Sequence, residues 1–338
     1  MIYYRPIIDQ DCARPVSAVR LAGGWGWFSR AERMERGQGA SLVPADAVPA
    51  DWLARLTAPR PPLAGMALDR PRLMGILNVT PDSFSDGGRF ADPAAALVQA
   101  RAMQAGGADL LDIGGESTRP GAAEVPVAEE LRRTVPVIAA LRAAMPDLPI
   151  SIDTRKARVA QAALTAGAAM VNDVSALGFD PGMAAVVAQA SAPLCLMHAQ
   201  GAPGSMQDDP RYGDVLLDVY DTLAARIASA EAAGIPRTRI VIDPGIGFGK
   251  TTAHNLALIR GIALFHGLGC AILIGASRKR FIGVIGGGEG PDARMPGSVA
   301  VALACVAQGV QILRVHDVGE TRQALALWHA IAQPEGTR

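Results

Sequence analysis

The sequence predicts an α/β protein, an eight-stranded parallel (β/α)8 TIM barrel at residues 71–333 carrying an N-terminal extension at residues 1–70. Three observations predict it. From Arg72 onward, short apolar runs rich in β-branched residues alternate with alanine-rich stretches of helical length. The runs number eight, and continuously apolar strands linked by helices read as a parallel sheet covered by those helices. A chain of 338 residues is long enough for one closed barrel of this kind. An open doubly wound sheet with an insertion is the alternative, and the count of eight favours closure.

The first run is LMGILNV, ending in Asn78, and a helix is expected over 93–106. ADLLDIGG follows, with Asp112 near its end and a helix over 126–144. PISID ends in Asp153 before a helix over 156–166, and AAMVND ends in Asn172 and Asp173 before one over 181–191. APLCLMH closes on His198 ahead of 213–233, and RIVIDPG carries Asp243 ahead of 252–267. AILIGAS leads into Ser277, Arg278 and Lys279 with a helix over 297–308, and VQILRVHD brings Arg314 and His316 before 319–331. Several of these helices open on a proline or a polar cap. The extension differs in composition: it holds three of the four tryptophans, Trp25, Trp27 and Trp52, followed by a proline-rich stretch from Pro59 to Pro62. Because all eight runs lie beyond it, a chain beginning near Arg70 is expected to stay folded and active, the alternative being that Trp25, Trp27 and Trp52 close the barrel's bottom or pack on its helices.

Composition excludes several classes of function. The formal net charge is zero, so no field for gripping nucleic acid or an anionic membrane is present, and any charged ligand must be met locally. The N-terminus MIYYRPIIDQD has no signal-peptide pattern, and no apolar stretch reaches the roughly 20 residues of a membrane helix. Cys12, Cys195, Cys270 and Cys305 are far apart and lack C-x-x-C spacing, which suits free thiols in a reducing cytoplasm. Of 32 basic residues only Lys156, Lys250 and Lys279 are lysine. Places where lysine persists among arginines draw attention, because a compact ammonium and a planar guanidinium do different chemistry.

Functional groups of such barrels sit at the carboxyl ends of the strands, and here those ends are unusually polar. Each polar residue alone could be a helix cap. Arg314 and His316 resist that reading, since alternation along VQILRVH puts both on one face of a buried strand, where neither is tolerated without a partner. Lys279, Arg314, His316 and Asn78 together suit an anion. Asp153, Asn172 and Asp243 suit a flat heterocycle rich in N–H and C=O groups. The loops NVTPDSFSDGG and GGESTRPGAAEVP are long and rich in Gly, Ser and Pro, either lids or ordinary surface connections, and Phe84 and Arg119 within them favour lids. The stretch DPGIGFGKT imitates a phosphate-binding P-loop, but the required first glycine is Pro244, which can neither donate an N–H nor adopt positive φ.

Taken in order, LNVTPDSFSDGG, DIGGESTRPGA, SIDTRK, VNDVSA, DPGIGFGKT, GASRKRFIG and RVHDV make the chain, from about Leu73 to Val318, resemble the dihydropteroate synthases. The resemblance implies an enzyme joining 6-hydroxymethyl-7,8-dihydropterin diphosphate to p-aminobenzoate, with Mg²⁺ assistance and pyrophosphate as the second product. It implies that Asp153, Asn172, Asp243 and Lys279 hold the pterin, with Phe248 near its pocket. Asn78 would coordinate Mg²⁺ and, with Arg314 and His316, bind the diphosphate. Thr118, Arg119, Pro120 and Phe84 would form the p-aminobenzoate site, with Asp86 helping to order the first lid. Asp243, Lys279, Arg119 and Asp86 would carry the catalytic duties. Arg280 departs from the serine that many members place after the lysine, and its backbone N–H or guanidinium would meet the p-aminobenzoate carboxylate. Partners are expected to be these small molecules and a second copy of the chain, in the cytoplasm. A corrinoid-linked pterin methyltransferase barrel would share the pterin anchors without the diphosphate cluster, and a non-catalytic pterin- or phosphate-binding module would need no ordered lids.

Overall fold

The computed structural model describes residues 1–11, 13–80, 93–117, 124–201 and 206–332. The extension supplies strands β1 (Ile2–Pro6), β2 (Val19–Arg20), β3 (Trp27–Phe28), β4 (Arg30–Glu35) and β5 (Ser41–Pro44) and helix α1 (Ala50–Thr57). β1, β4 and β5 form an antiparallel sheet and β2 pairs with β3. The barrel strands are β6 (Arg72–Asn78), β7 (Leu110–Gly114), β8 (Ile150–Asp153), β9 (Met170–Asp173), β10 (Leu194–Met197), β11 (Ile240–Asp243), β12 (Ala271–Ile274) and β13 (Ile312–Val315). They close parallel in sequence order, with β13 pairing β6 and β9 pairing β10. The eight apolar runs of the sequence are these eight strands.

Helices α2 (Pro93–Ala105), α3 (Val127–Ala144), α4 (Ala157–Thr165), α5 (Met183–Ala190), α6 (Val215–Ala232) and α7 (Thr252–Arg260) follow β6 to β11 in turn. Caps fix where two of them start: Asp214 accepts from the N–H groups of Leu216 and Leu217, and Thr251 and His254 cap each other reciprocally. The expected helix over 252–267 divides at Gly261, after which Ile262–Leu268 is a buried 3-10 turn. Two helices, α8 (Arg280–Gly286) and α9 (Met295–Val306), stand between β12 and β13, where sequence reading expects one, and α10 (Val318–Ala332) ends the barrel.

Alternation along each strand divides two cores. Outward residues such as Leu73, Ile152, Leu196, Ile242 and Leu313 join the core beneath the helices. Inward residues near the amino ends, among them Met74, Leu110, Met170, Cys195, Val241 and Ile312, fill the interior, and Leu63, Met66 and Leu68 belong to that same cluster. The segment just before the first barrel strand therefore plugs the barrel's bottom. The rest of the extension lies on the barrel's flank. Trp52 stacks on Tyr220 of α6 at 5.7 Å between ring centroids, and Tyr220 stacks on Phe265 at 6.2 Å. A side chain at Gly267 would put its first carbon 2.2 Å from the Trp52 ring, so only glycine lets that ring seat. Trp25 donates its indole N–H to the Val306 carbonyl at 2.9 Å, and the buried Arg60 guanidinium bonds the carbonyls of Arg55, Ala58 and His266.

Candidate active site

Register assembles the carboxyl mouth of the barrel. Asn78 stands opposite Gly114, Gly114 opposite Asp153, and Asp153 opposite Asn172, so these positions form one tier around four adjacent strands. Gly114 leaves the gap between its neighbours open, since a β-carbon there would lie 3.4 Å from Asn78 Oδ1 and 3.8 Å from Asp153 Oδ2. Across the mouth, Met197 stands opposite Asp243.

The centre of the site is an ion cluster. Arg314 Nε donates to Asp112 Oδ2 at 2.5 Å and Arg314 Nη2 donates to Asp153 Oδ2 at 2.7 Å. Asn172 Nδ2 donates to the same Asp112 oxygen at 3.0 Å, and the other oxygen, Oδ1, is buried with no partner among the described residues. Arg314 thus faces two carboxylates, Asp112 and Asp153, at the barrel mouth. Burial raises the Asp153 pKa, while the Arg314 charge opposes the rise. Asp112 carries no assigned role in the sequence reading, yet it anchors Arg314; alternation along LLDIG, which turns it inward with Gly114, was the signal that could have found it.

Asp243 is buried, and its Oδ1 accepts from the Gly245 N–H at 2.7 Å. Burial pushes its pKa up to about 6 against the pull of that N–H and of Lys279, Lys250 and Arg314. The glycines of DPGIGFGKT answer a steric need: Gly245, Gly247 and Gly249 all take positive φ. A β-carbon on Gly245 would fall 1.8 Å from the His198 carbonyl oxygen, and one on Gly249 would fall 2.4 Å from that of Gln200. The turn packs its backbone directly onto the chain leaving β10. Within it the Phe248 ring lies under Lys279 Nζ at 3.9 Å from the centroid, a cation–π contact next to Asp243. Arg278 holds a left-handed φ of 59°, secured by paired bonds to Asp317, and this turn delivers Lys279 to the mouth. His316 Nδ1 lies 3.0 Å from Ser277 Oγ, beside Arg314 on the inward face. Arg280, at the first turn of α8, is exposed.

The three lysines divide by role. Lys156 is buried in a structural network, donating to Glu116 at 3.0 Å, to Glu130 at 2.7 Å and to the Val125 carbonyl at 2.7 Å, which ties the second loop's stem to α3. Lys250 is buried beside His198, with Nζ 3.0 Å from Nδ1. Phe84 and Asp86 of the first loop and Thr118, Arg119 and Pro120 of the second lie outside the described residues.

For Mg²⁺ the fit is that of a shared ion. Among the described residues no three His, Cys, Asp or Glu side chains cluster to cage a metal. Asn78 offers one amide oxygen at the mouth, which matches an ion that keeps most of its ligands as water and substrate phosphate.

The profile of the pterin binding enzymes matches residues 74–316. The dihydropteroate synthase of Synechocystis sp. is 48% identical over 263 residues, spanning 77% of this chain and 91% of its own. The solved structure of Xanthomonas albilineans dihydropteroate synthase with 4-aminobenzoic acid superposes with a TM-score of 0.75 at 51% identity, covering 79% of this chain and 96% of its own. The same organism's enzyme in complex with 7,8-dihydropteroate gives 0.72 at 48% identity, covering 79% and 95%.

Proposed function

This chain belongs to the dihydropteroate synthases of the pterin-binding family, and on that premise we propose how its own residues carry out the condensation of 6-hydroxymethyl-7,8-dihydropterin diphosphate with p-aminobenzoate. The observation that carries the reading is the Asp112–Arg314–Asp153 cluster, its two carboxylates buried, with Asn172 and Asp243 at the barrel mouth. Asp153 and Asp243 accept from the amino and ring N–H groups of the pterin, and the Asn172 amide supplies both a donor and an acceptor. Arg314, already held in place by two carboxylates, presents a fixed guanidinium, and Phe248 closes the pocket wall with Lys279. His316, Asn78 and Lys279 line the side from which diphosphate departs.

The reaction asks for little acid–base chemistry. The C–O bond to diphosphate breaks first, the pterin-methyl carbon carries the positive charge next to an electron-rich ring, and the aniline nitrogen then forms the C–N bond and sheds one proton. Carboxylates at Asp153 and Asp243 favour that cation, and Lys279, Arg314 and His316 stabilise the departing charge from fixed positions. Mg²⁺, held through Asn78, would neutralise part of the diphosphate. Thr118, Arg119, Pro120, Phe84 and Arg280 receive p-aminobenzoate, and Asp86 orders the first loop. A sulfonamide would occupy this same subsite. The buried thiols Cys195, Cys270 and Cys305 support a reducing cytoplasm, and among the described residues no helix is long and apolar enough to cross a membrane. The homodimer stays part of the proposal and is tested by sedimentation.

The test is turnover with both substrates, read as pyrophosphate release and dihydropteroate formation. Methyl transfer from a pterin without pyrophosphate would point to the corrinoid-linked alternative, and binding without product to a pterin-binding module.

A further inference from the structure

Lys250 is a buried amine, 4% exposed, with no carboxylate within ion-pairing distance among the described residues. Its Nζ instead faces three uncharged acceptors: His198 Nδ1 at 3.0 Å, the Phe248 carbonyl at 2.9 Å and the His198 carbonyl at 3.4 Å. An ammonium has three N–H groups diverging from one nitrogen, which fits three acceptors around a point; a planar guanidinium does not. That geometry explains why lysine persists here in a chain whose other basic residues are almost all arginine. Because Nδ1 accepts from Lys250, the proton of a neutral His198 sits on Nε2. Burial lowers the pKa of both partners, His198 to about 3 and Lys250 to about 7, so the imidazole is the neutral acceptor.

The three bonds join two elements. His198 ends the run through β10, and Phe248 lies in the turn after β11, whose backbone rests on the His198 carbonyl at Gly245. Fixing the Phe248 carbonyl fixes the residue whose ring supports Lys279 beside Asp243. We propose that Lys250 is a positioning residue for the pterin: its ammonium staples the DPGIGFGK turn to the end of β10 and so holds the Phe248 ring against Lys279. This rests on the reading that Asp243, Phe248 and Lys279 face the pterin.

Steady-state kinetics of the full chain test it. Lys250→Met should raise KM for the pterin diphosphate about tenfold, with kcat changed less than about threefold, because the turn loosens while the reacting groups stay. Phe248→Leu should do the same, and the double variant should be no worse than the weaker single one, since both act through one ring. If Lys250→Met lowers the yield of active enzyme and leaves KM unchanged, the lysine only holds the fold and the proposal fails. Additive effects in the double variant overturn it equally. Should Lys250→Met be insoluble, Lys250→Arg carries the same comparison, because it keeps the charge and loses the three-point geometry; a KM equal to wild type then refutes the staple. Asp243→Asn separates the two readings. An unchanged pterin KM in that variant removes the pterin site itself, whereas a raised KM there beside an unaltered Lys250→Met removes only the staple.

Discussion

Replacing Asp243 by asparagine should make the protein more stable and bind pterin less well. The side chain is 5% exposed, and burial raises its pKa from 3.8 to about 6. A carboxyl with a raised folded-state pKa holds its proton more tightly when folded, so its stabilising contribution is complete below pH 3.8 and is lost as pH rises through about 6. At 1.36 kcal/mol per pKa unit, the ionised carboxylate costs about 3 kcal/mol at pH 8, an upper bound. Asparagine has no such charge, and its amide oxygen can still accept from the Gly245 N–H that Asp243 Oδ1 bonds at 2.7 Å. Urea unfolding should therefore show the variant more stable by about 1–3 kcal/mol at pH 8, with the gap closing toward pH 4.5. Calorimetry at pH 8 should show pterin affinity reduced about 10- to 100-fold, because each lost charge-assisted bond is worth roughly 1.5–3 kcal/mol. A variant that is less stable at pH 8, or equally displaced at both pH values, would refute the burial argument. Unchanged pterin binding would refute the assignment of Asp243 to the heterocycle.

A chain beginning at Pro71 loses Leu63, Met66 and Leu68 from the barrel interior and the Trp52–Tyr220 stack from its flank; it should be recovered largely insoluble, and Leu63→Ala in the full chain should cost about 2–5 kcal/mol in urea unfolding. A soluble, active chain from Pro71 would restore the extension to a dispensable appendage. Lys156→Met removes the cation paired with the buried Glu130 carboxylate, while Glu116 keeps Arg155, and should destabilise the protein by about 3–5 kcal/mol, seen as a lowered Tm with unchanged pterin KM in the folded fraction. Binding of p-aminobenzoate should be detectable only with pterin and Mg²⁺-pyrophosphate present, and Arg119→Ala should weaken its capture far more than that of the pterin diphosphate; equal affinity with and without those ligands would mean a preformed site.

Local pattern determined much of this protein. Eight apolar runs became eight parallel strands because a strand buried on both faces needs little beyond continuous apolar residues and a helical return. Asn78, Asp153, Asn172, Asp243 and Arg314 were legible because a polar residue ending such a run has only the barrel mouth to occupy. Pro244 showed that DPGIGFGKT is no P-loop, though not why Gly245 tolerates no side chain. What the tertiary structure decided are the pairings across long stretches of chain. Arg314 meets Asp112 and Asp153 from 202 and 161 residues away, and Lys250 meets His198 from 52. No periodicity records which partner a buried charge will find, because that depends on register and closure. The extension's place was hidden for the same reason: Leu63, Met66 and Leu68 look like loop residues until the strands close and leave an apolar bottom for them to fill.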